Sequence, residues 1–277
     1  MLAIPASDIG KHDIAVLNLL SAQGLPGSEN INTEKCSATL DQWAARVKSE
    51  TERHLYRFRN NPAEYENSEA YFRMLMMAVV VYEDFGVRYN PERLAPPPSR
   101  AANDHFFADS RDIFLHGLIG DRRMGTCSSM PVLYAALGRR LGYPLKLVTT
   151  KAHLFLRWED GKERFDLEAT GQGMDRYDDE HFKRFPFPVT EEEIQAEGYM
   201  KSLTAAEELA VFLSIRGMCL METGRFGEAK DAFGAAAKLA PSCRTYGVMR
   251  DEMNQKISSS AIAHSPRSCG SVGFASC

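Results

Sequence analysis

The middle of the chain changes from a helical to a strand pattern within a few residues, and this change constrains the fold more than any other feature. Cys127 opens an apolar helical segment that ends at Gly142 and Pro144. Three short segments with alternating polarity and many β-branched or aromatic residues follow, at 144–150, 153–159 and 164–169. Together they predict an α+β fold with a small antiparallel sheet.

The last two of these segments are predicted to form a hairpin around Asp160 and Gly161, a preferred two-residue turn. In that register His153 lies directly opposite Glu168 and diagonally from Asp166, with all three side chains on one face. The other face carries five apolar side chains and is predicted to be buried: Leu154, Leu156, Trp158, Phe165 and Leu167.

A cysteine beside an imidazole that a carboxylate orients is an arrangement used for nucleophilic attack on amide carbons. The start of a helix favours the reactive thiolate form, and its backbone N–H groups can stabilise an oxyanion. We therefore predict Cys127 as nucleophile, His153 as general base and Asp166 as orienting carboxylate. Glu168 is the rival orienting carboxylate, because it faces His153 across the predicted ladder.

Purely structural roles stay open for each of these residues. Cys127 could be a small buried residue at a helix start, and His153 could bond a backbone carbonyl. Asp166 could instead form an ion pair with Arg157 or Arg164 on the hairpin. Among the remaining histidines, His116 lies in an apolar stretch and is predicted to be structural.

The flanking regions are mostly helical in pattern. Residues 1–95 are predicted to be an N-terminal helical part of the main domain, with a Pro-rich linker at 95–100 before the 96–200 core. Residues 201–257 are spaced like one tetratricopeptide unit, which cannot stack on copies of itself and so should pack on the main domain. Its small and large positions are Leu213, Gly217, Leu220, Ala229, Phe233, Ala236 and Pro241. The Ser- and Gly-rich tail, 258–277, is predicted to be disordered.

Composition excludes several classes of function. The net charge is −4 and no basic stripe occurs, which argues against a nucleic-acid partner. The longest central apolar run, 74–82, is too short to span a bilayer, and the N-terminus lacks a signal-peptide pattern, so a cytoplasmic protein that does not bind membranes is expected. The six cysteines form no C-x-x-C pair, and no metal-ligand cluster is visible. We expect no cofactor and no metal.

The segments "GTCSSMPVLYAALGRRLGYPLKLV", "KAHLFLRWE" and "RFDLEATGQG" resemble the transglutaminase-like superfamily of papain-like cysteine enzymes. The helical segments before and after them are similar to the bacterial SirB-type branch, which joins such a core to a tetratricopeptide-like segment. The resemblance covers most of 10–242 and implies a papain-like core whose catalytic residues are Cys127, His153 and Asp166. SirB-type members often have "GIPIS" at the helix start, with proline where this chain has Cys127.

These features predict a thiol hydrolase or acyltransferase that attacks an amide of a protein or peptide through an acyl-enzyme on Cys127. The alternative is a non-enzymatic interaction or regulatory protein, in which the core and the helical tail bind a protein partner. Exposure of Phe226 or Phe233 on the tail would favour that alternative.

Overall fold

The computed structural model describes residues 4–93, 106–171 and 174–263. Its elements alternate between helices and two small sheets, as expected for an α+β fold. The predicted linker at 95–100 and residues 264–277 of the predicted tail lie outside the described residues. Residues 258–263 of that tail continue the last helix.

Three helices precede the core: α1 (Ile14–Ala22), α2 (Thr33–Asn60) and α3 (Glu69–Val79), which a π-turn extends through Asp84. At the start of each helix a capping side chain accepts a backbone N–H of the first turn. The capping residues are Asp13, Asn32 and Ser68 respectively. Apolar side chains at three- and four-residue steps form the buried face of α2, where Leu40, Trp43 and Val47 lie. The N-terminal region is therefore helical, as its periodicity predicts.

Short elements lead into the centre of the molecule. The helices α4 (Ser110–Ile113) and α5 (Leu115–Ile119) lie before a two-residue strand β2 (Met124–Gly125), which pairs in parallel with β1 (Arg88–Tyr89). Helix α6 (Met130–Arg140) follows and is buried along its first nine residues. A Cβ at Gly138 would come within 2.3 Å of Leu145, so glycine is what permits α6 to pack this closely on the next strand.

The main sheet is a four-stranded antiparallel meander in the order β3-β4-β5-β6. Its strands are β3 (Leu145–Thr150), β4 (His153–Glu159), β5 (Arg164–Glu168) and β6 (Asp175–Tyr177). The five side chains of the predicted apolar face are all buried, as expected. The sequence does not predict β6 or the short helix α7 (Asp179–Phe182) after it, and these elements lie beside the polar ends of the hairpin.

The C-terminal helices are α8 (Glu191–Glu197), α9 (Ala205–Glu222), α10 (Phe226–Leu239) and α11 (Arg244–Ala263). Buried side chains of α9 and α10 join those of the N-terminal helices and of the sheet in one contiguous apolar core. The predicted packing of this segment on the main domain is confirmed. No helix within the described ranges is long and apolar enough to cross a membrane.

Candidate active site

The thiol of Cys127 lies in a turn that leads directly into α6. Met130 donates its backbone N–H to the carbonyl of Thr126 at 2.9 Å, so helical hydrogen bonding begins one turn before α6 itself. Thr126 and Ser129 complete the turn, because the Ser129 hydroxyl accepts the Thr126 N–H at 3.1 Å. Cys127 is half-buried at the helix entrance, which is the position that the sequence predicts for it.

The same turn is anchored from behind by Asp112. The hydroxyls of Thr126 and Ser129 both donate to the Asp112 carbonyl, at 3.1 and 3.2 Å. The buried Asp112 carboxylate in turn accepts hydrogen bonds from Asn90 and Arg93 and pairs with Arg122 at 2.9 Å. Asp112, itself held by Asn90 and Arg93, thus fixes the backbone that presents the thiol. The sequence gives no sign of this support.

His153 occupies the first position of β4 and is buried. Its Nε2 lies 2.7 Å from Oε2 of Glu168, and the thiol of Cys127 lies close enough to contribute to the raised pKa of His153. The structure therefore brings Cys127, His153 and Glu168 together.

The groups around His153 favour a protonated imidazole. Burial by itself lowers the pKa of His153, but the hydrogen bonds with Cys127 and Glu168, together with the negative charge of Glu168, raise that pKa to about 9. Burial acts to raise the pKa of Glu168, yet hydrogen bonds from His153 and Thr170 keep it below its usual value. Thr170 donates both its N–H and its hydroxyl to Oε1 of Glu168, at 2.9 and 2.7 Å.

The predicted hairpin register is wrong by two residues. Arg157 pairs with Asp166 and Glu159 with Arg164, so residues 160–163 form a four-residue turn rather than a two-residue one. Asp160 explains the longer turn, because its carboxylate accepts the N–H groups of Lys162 and Glu163 at 2.8 Å each. A shift of two residues leaves every side chain on its predicted face but moves each one pair along the ladder.

This shift changes which carboxylate contacts the imidazole. Asp166, the predicted orienting residue, lies opposite Arg157 and accepts two hydrogen bonds from its guanidinium, at 2.6 and 3.0 Å. The rival carboxylate, Glu168, is the one that contacts His153. The predicted contact of Asp166 with His153 is therefore wrong, because Glu168 occupies that place, and the open alternative of an ion pair between Asp166 and Arg157 is what the structure contains.

The guanidinium of Arg157 is fully buried and holds two carboxylates at once. Besides Asp166 it binds Asp179 of α7 at 2.7 Å and the carbonyl of Met200 at 3.0 Å. Burial and the nearby carboxyl of Asp179 raise the pKa of Asp166, while Arg157 opposes that shift. The pair thus fastens α7 to the sheet next to the candidate site.

Helix α7 and the residues after it place aromatic rings around His153. Phe182 is buried and stacks on Phe155 with the ring centroids 3.8 Å apart, and Phe185 meets the imidazole edge-on at 5.3 Å. Phe185, Phe187 and Tyr177 are nevertheless exposed, although large apolar side chains usually avoid water. The α7 side of His153 is therefore lined by aromatic rings, and Phe185 leaves part of it open to solvent.

The other histidine that the sequence singles out has a structural role, as predicted. Nε2 of His116 lies 3.2 Å from the hydroxyl of Ser110, and burial lowers the His116 pKa to about 4. Within the ranges that the structure describes, no group of three or more His, Cys, Asp or Glu side chains is arranged to hold a metal ion.

A family model for transglutaminase-like proteins matches residues 34–182 of the chain. This match covers more than half of the 277 residues and includes Cys127, His153 and Glu168. The chain belongs to the transglutaminase-like superfamily. Comparison with curated proteins and with solved structures finds no match. Family membership thus agrees with the resemblance seen in the sequence at the level of the superfamily.

Sequence reasoning found the thiol and the imidazole because their local patterns are distinctive, a helix entrance and a strand start. It predicts the wrong carboxylate beside the imidazole because "DG" favours a two-residue turn, although "EDGKE" also fits a longer one. Asp160 followed by two residues with free N–H groups is a pattern for a longer Asx-type turn, and this signal could have given the correct register. Asp112 and Arg157 lack any comparable local signal.

Proposed function

We propose that this transglutaminase-like protein is a cysteine enzyme that cleaves or exchanges an amide bond through an acyl-enzyme on Cys127. The observation that carries the proposal is the juxtaposition of Cys127 and His153 at the entrance of α6, with His153 hydrogen-bonded to Glu168 at 2.7 Å. A nucleophile, a base and a group that orients the base are the parts that covalent catalysis of this kind requires.

In the proposed reaction the sulfur of Cys127 attacks the amide carbon, and the carbonyl oxygen becomes an oxyanion near the backbone N–H groups of the turn before α6. The C–N bond then breaks as the His153 imidazolium gives its proton to the departing amine. The product is a thioester on Cys127. Water or a second amine, losing a proton to His153, attacks the thioester and releases the acyl group and the thiolate.

Glu168 is proposed to hold the imidazole at Nε2, so that Nδ1 faces the sulfur throughout the cycle. Its negative charge stabilises the imidazolium, which must persist until the leaving group is protonated. Thr170 fixes the second carboxylate oxygen and thereby limits rotation of Glu168. This chemistry requires neither metal nor cofactor.

We propose a protein or peptide as the substrate. The exposed ring of Phe185 lies against His153, and that of Tyr177 lies beside Phe182 of α7, where both can contact apolar side chains of a bound polypeptide. On the helical tail, Phe233 is buried and Phe226 half-buried, so neither ring provides the apolar surface that a purely partner-binding protein would favour.

The finer relationships are proposed on the same basis. A papain-like arrangement is supported by the packing of α6, which directly follows the Cys127 turn, on β3 and β4. A tetratricopeptide-like α9–α10 hairpin, and with it the SirB-type branch of bacterial proteins, is supported by Gly217, where a Cβ would lie 2.7 Å from the Phe233 ring. The unpaired thiols of Cys36, Cys127, Cys219 and Cys243 support a reducing, cytoplasmic location.

The experiment that tests the catalytic proposal is the alkylation of Cys127 by iodoacetamide, followed by mass spectrometry that compares it with the other five cysteines. At pH 6.5 we expect Cys127 to react at least about tenfold faster than Cys36, since an adjacent imidazolium favours the thiolate. The His153→Ala variant should lose this advantage, whereas His116→Ala is a matched control that should keep it. Equal reactivity of Cys127 and Cys36 would overturn the proposal and favour a partner-binding function.

A further inference from the structure

A second cavity lies away from the catalytic residues, between the start of α2 and the end of α5 with the loop that follows it. Its volume is about 580 Å³, which is within the range of small-molecule sites. Neither Cys127 nor His153 nor Glu168 lines it. Four cationic side chains and two carboxylates form its charged wall: Lys35, Arg111, Arg122, Arg123, Glu29 and Asp121.

Arg123 is held in place without an anionic partner among the residues that the structure describes. Its backbone has φ +54°, and its carbonyl accepts the N–H of Arg88 at 2.9 Å. The guanidinium lies over the ring of Trp43, 4.6 Å from the centroid, and Trp43 itself stacks on Phe85. Such stacking orients the planar group through its face and does not use its N–H groups.

One nitrogen of that guanidinium, Nη1, is buried and finds no acceptor among the described residues. A buried donor without a partner costs about 1–3 kcal/mol, so folded proteins rarely keep one without a reason. Asp121 lowers that cost through its charge, yet its carboxylate accepts no hydrogen bond from Arg123. The vacant donor points to an oxyanion as the missing partner.

The other charged side chains of the cavity wall differ in whether they already have a hydrogen-bond or ion-pair partner. Arg111 and Arg122 both bind the carboxylate of Asp109, at 2.6 and 3.3 Å. Glu29 accepts the backbone N–H of Gly27 at 3.0 Å. Lys35, in the first turn of α2, forms no ion pair within the described part of the chain, and the helix N-terminus adds a partial positive charge nearby.

We propose that this cavity binds the phosphate group of a small molecule. The Arg123 fork would donate to two phosphate oxygens, and Lys35 would supply the second positive charge. A phosphate carries nearly two negative charges and several acceptor oxygens, so it can satisfy both cations at once, which a single carboxylate cannot. The site is independent of the proposed amide chemistry, and its test needs no substrate.

The test is isothermal titration of the full chain with inorganic phosphate and, separately, with glycerol 3-phosphate, in chloride buffer of matched ionic strength. We expect saturable binding that Arg123→Gln weakens about tenfold or more and Lys35→Gln by about threefold or more. Lys48→Gln is the matched control, because Lys48 is an exposed lysine of the same helix that pairs with Glu52. Tighter binding of glycerol 3-phosphate would identify an organic phosphate as the ligand, and equal binding a free phosphate.

Lys35→Gln keeps the test decisive even if Arg123→Gln disturbs the fold, because Lys35 is exposed and its replacement removes no buried contact. Far-UV circular dichroism of both variants checks their folding. If neither phosphate compound shows saturable binding in chloride buffer, the proposal is wrong. It is also wrong if both variants bind phosphate as tightly as the unmodified chain.

Discussion

Glu168 and Asp166 project from the same face of β5, two residues apart, but they serve different partners. Glu168 contacts His153 at 2.7 Å, whereas Asp166 is held by the guanidinium of Arg157. Both carboxylates are buried, so each strongly affects the charge it faces. Exchanging either for its amide should therefore separate a catalytic effect from a structural one.

Glu168→Gln removes the charge that stabilises the imidazolium, so the pKa of His153 should fall from about 9 toward its usual value of 6.5. An NMR titration of the His153 ring measures this shift directly. A ring with a pKa of 6.5 is only about 10% protonated at pH 7.5, whereas one with a pKa of about 9 is almost fully protonated, so alkylation of Cys127 at pH 7.5 should slow by up to about tenfold.

Asp166→Asn is the matched variant on the same strand. It leaves the buried Arg157 with Asp179 as its remaining carboxylate, and we expect a loss of about 3 kcal/mol in the free energy of unfolding, measured with urea. The pKa of His153 should change little. A larger shift of that pKa in Asp166→Asn than in Glu168→Gln would restore Asp166 as the orienting residue.

The raised pKa of His153 also predicts how the reactivity of Cys127 depends on pH. The imidazolium is present below about pH 9 and is lost above it, since a raised pKa retains the proton to higher pH. Once the imidazole is neutral, the thiolate is no longer stabilised by a positive charge and becomes a stronger nucleophile. The alkylation rate of Cys127 should therefore change near pH 9 together with the NMR signal of the His153 ring, and a rate change at a pH where that ring does not titrate would contradict its assignment to His153.

At this scale the sequence predicts residue types better than pairings. Cys127 and His153 are identified because their chemistry depends on local position, at a helix entrance and a strand start. The choice between Asp166 and Glu168 depends on the turn length, and Asp160 determines that length through two backbone hydrogen bonds. A two-residue error in one turn is enough to exchange the two carboxylates.

Helix α7 is only four residues long, yet it contacts several of the groups around the site. Its Asp179 binds Arg157 and Arg164, while Phe182 fills a small apolar cluster with Val148 and Phe155. Four residues thus cover the polar face of the hairpin. That face would otherwise expose the carboxylates and the imidazole to bulk water, where their mutual interactions weaken.

Phe182→Ala should open a cavity behind His153 and lower the free energy of unfolding by about 3–5 kcal/mol, because the side chain is fully buried and stacked. Phe187→Ala, an exposed ring five residues later, is the control and should change that free energy by about 0.5 kcal/mol or less. Urea denaturation of both variants provides the comparison. Equal effects would show that α7 does not pack as described.

The sequence does not predict β6 and α7, and the reason is physical. The run "DRYDDE" at 175–180 is charged and has neither strand nor helix periodicity, so it is predicted to be solvated surface. Its structure depends on tertiary partners: Glu168 pairs with Asp175 in the sheet, and Arg157 binds Asp179. By contrast, α2 is predicted because its apolar spacing determines which face is buried, and α6 because its apolar run ends at Gly142 and Pro144.

At the scale of the whole molecule, the C-terminal helices are bound directly to the helix that presents the thiol. Arg139 of α6 donates two hydrogen bonds to Glu208 of α9, at 2.9 and 2.5 Å. Arg216 and Arg225 of the same hairpin reach carbonyls at the end of α1, those of Ser21, Gln23 and Gly24. The C-terminal helices thus stabilise both the N-terminal helices and α6. We therefore expect their loss to alter the reactivity of the Cys127 thiol.

Glu208→Ala tests this coupling, since Glu208 is buried and its loss leaves Arg139 without a carboxylate. Breaking a buried ion pair costs about 3–5 kcal/mol, and we expect the lower end because the Arg139 side chain is 31% exposed. Since one apolar core joins all regions, calorimetry should show a single transition moved to lower temperature. The exposed pair of Glu228 with Arg225 is the control, and Glu228→Ala should leave the transition nearly unchanged. Two separate transitions in Glu208→Ala, with only the first one moved, would mean that the C-terminal helices unfold independently of α6.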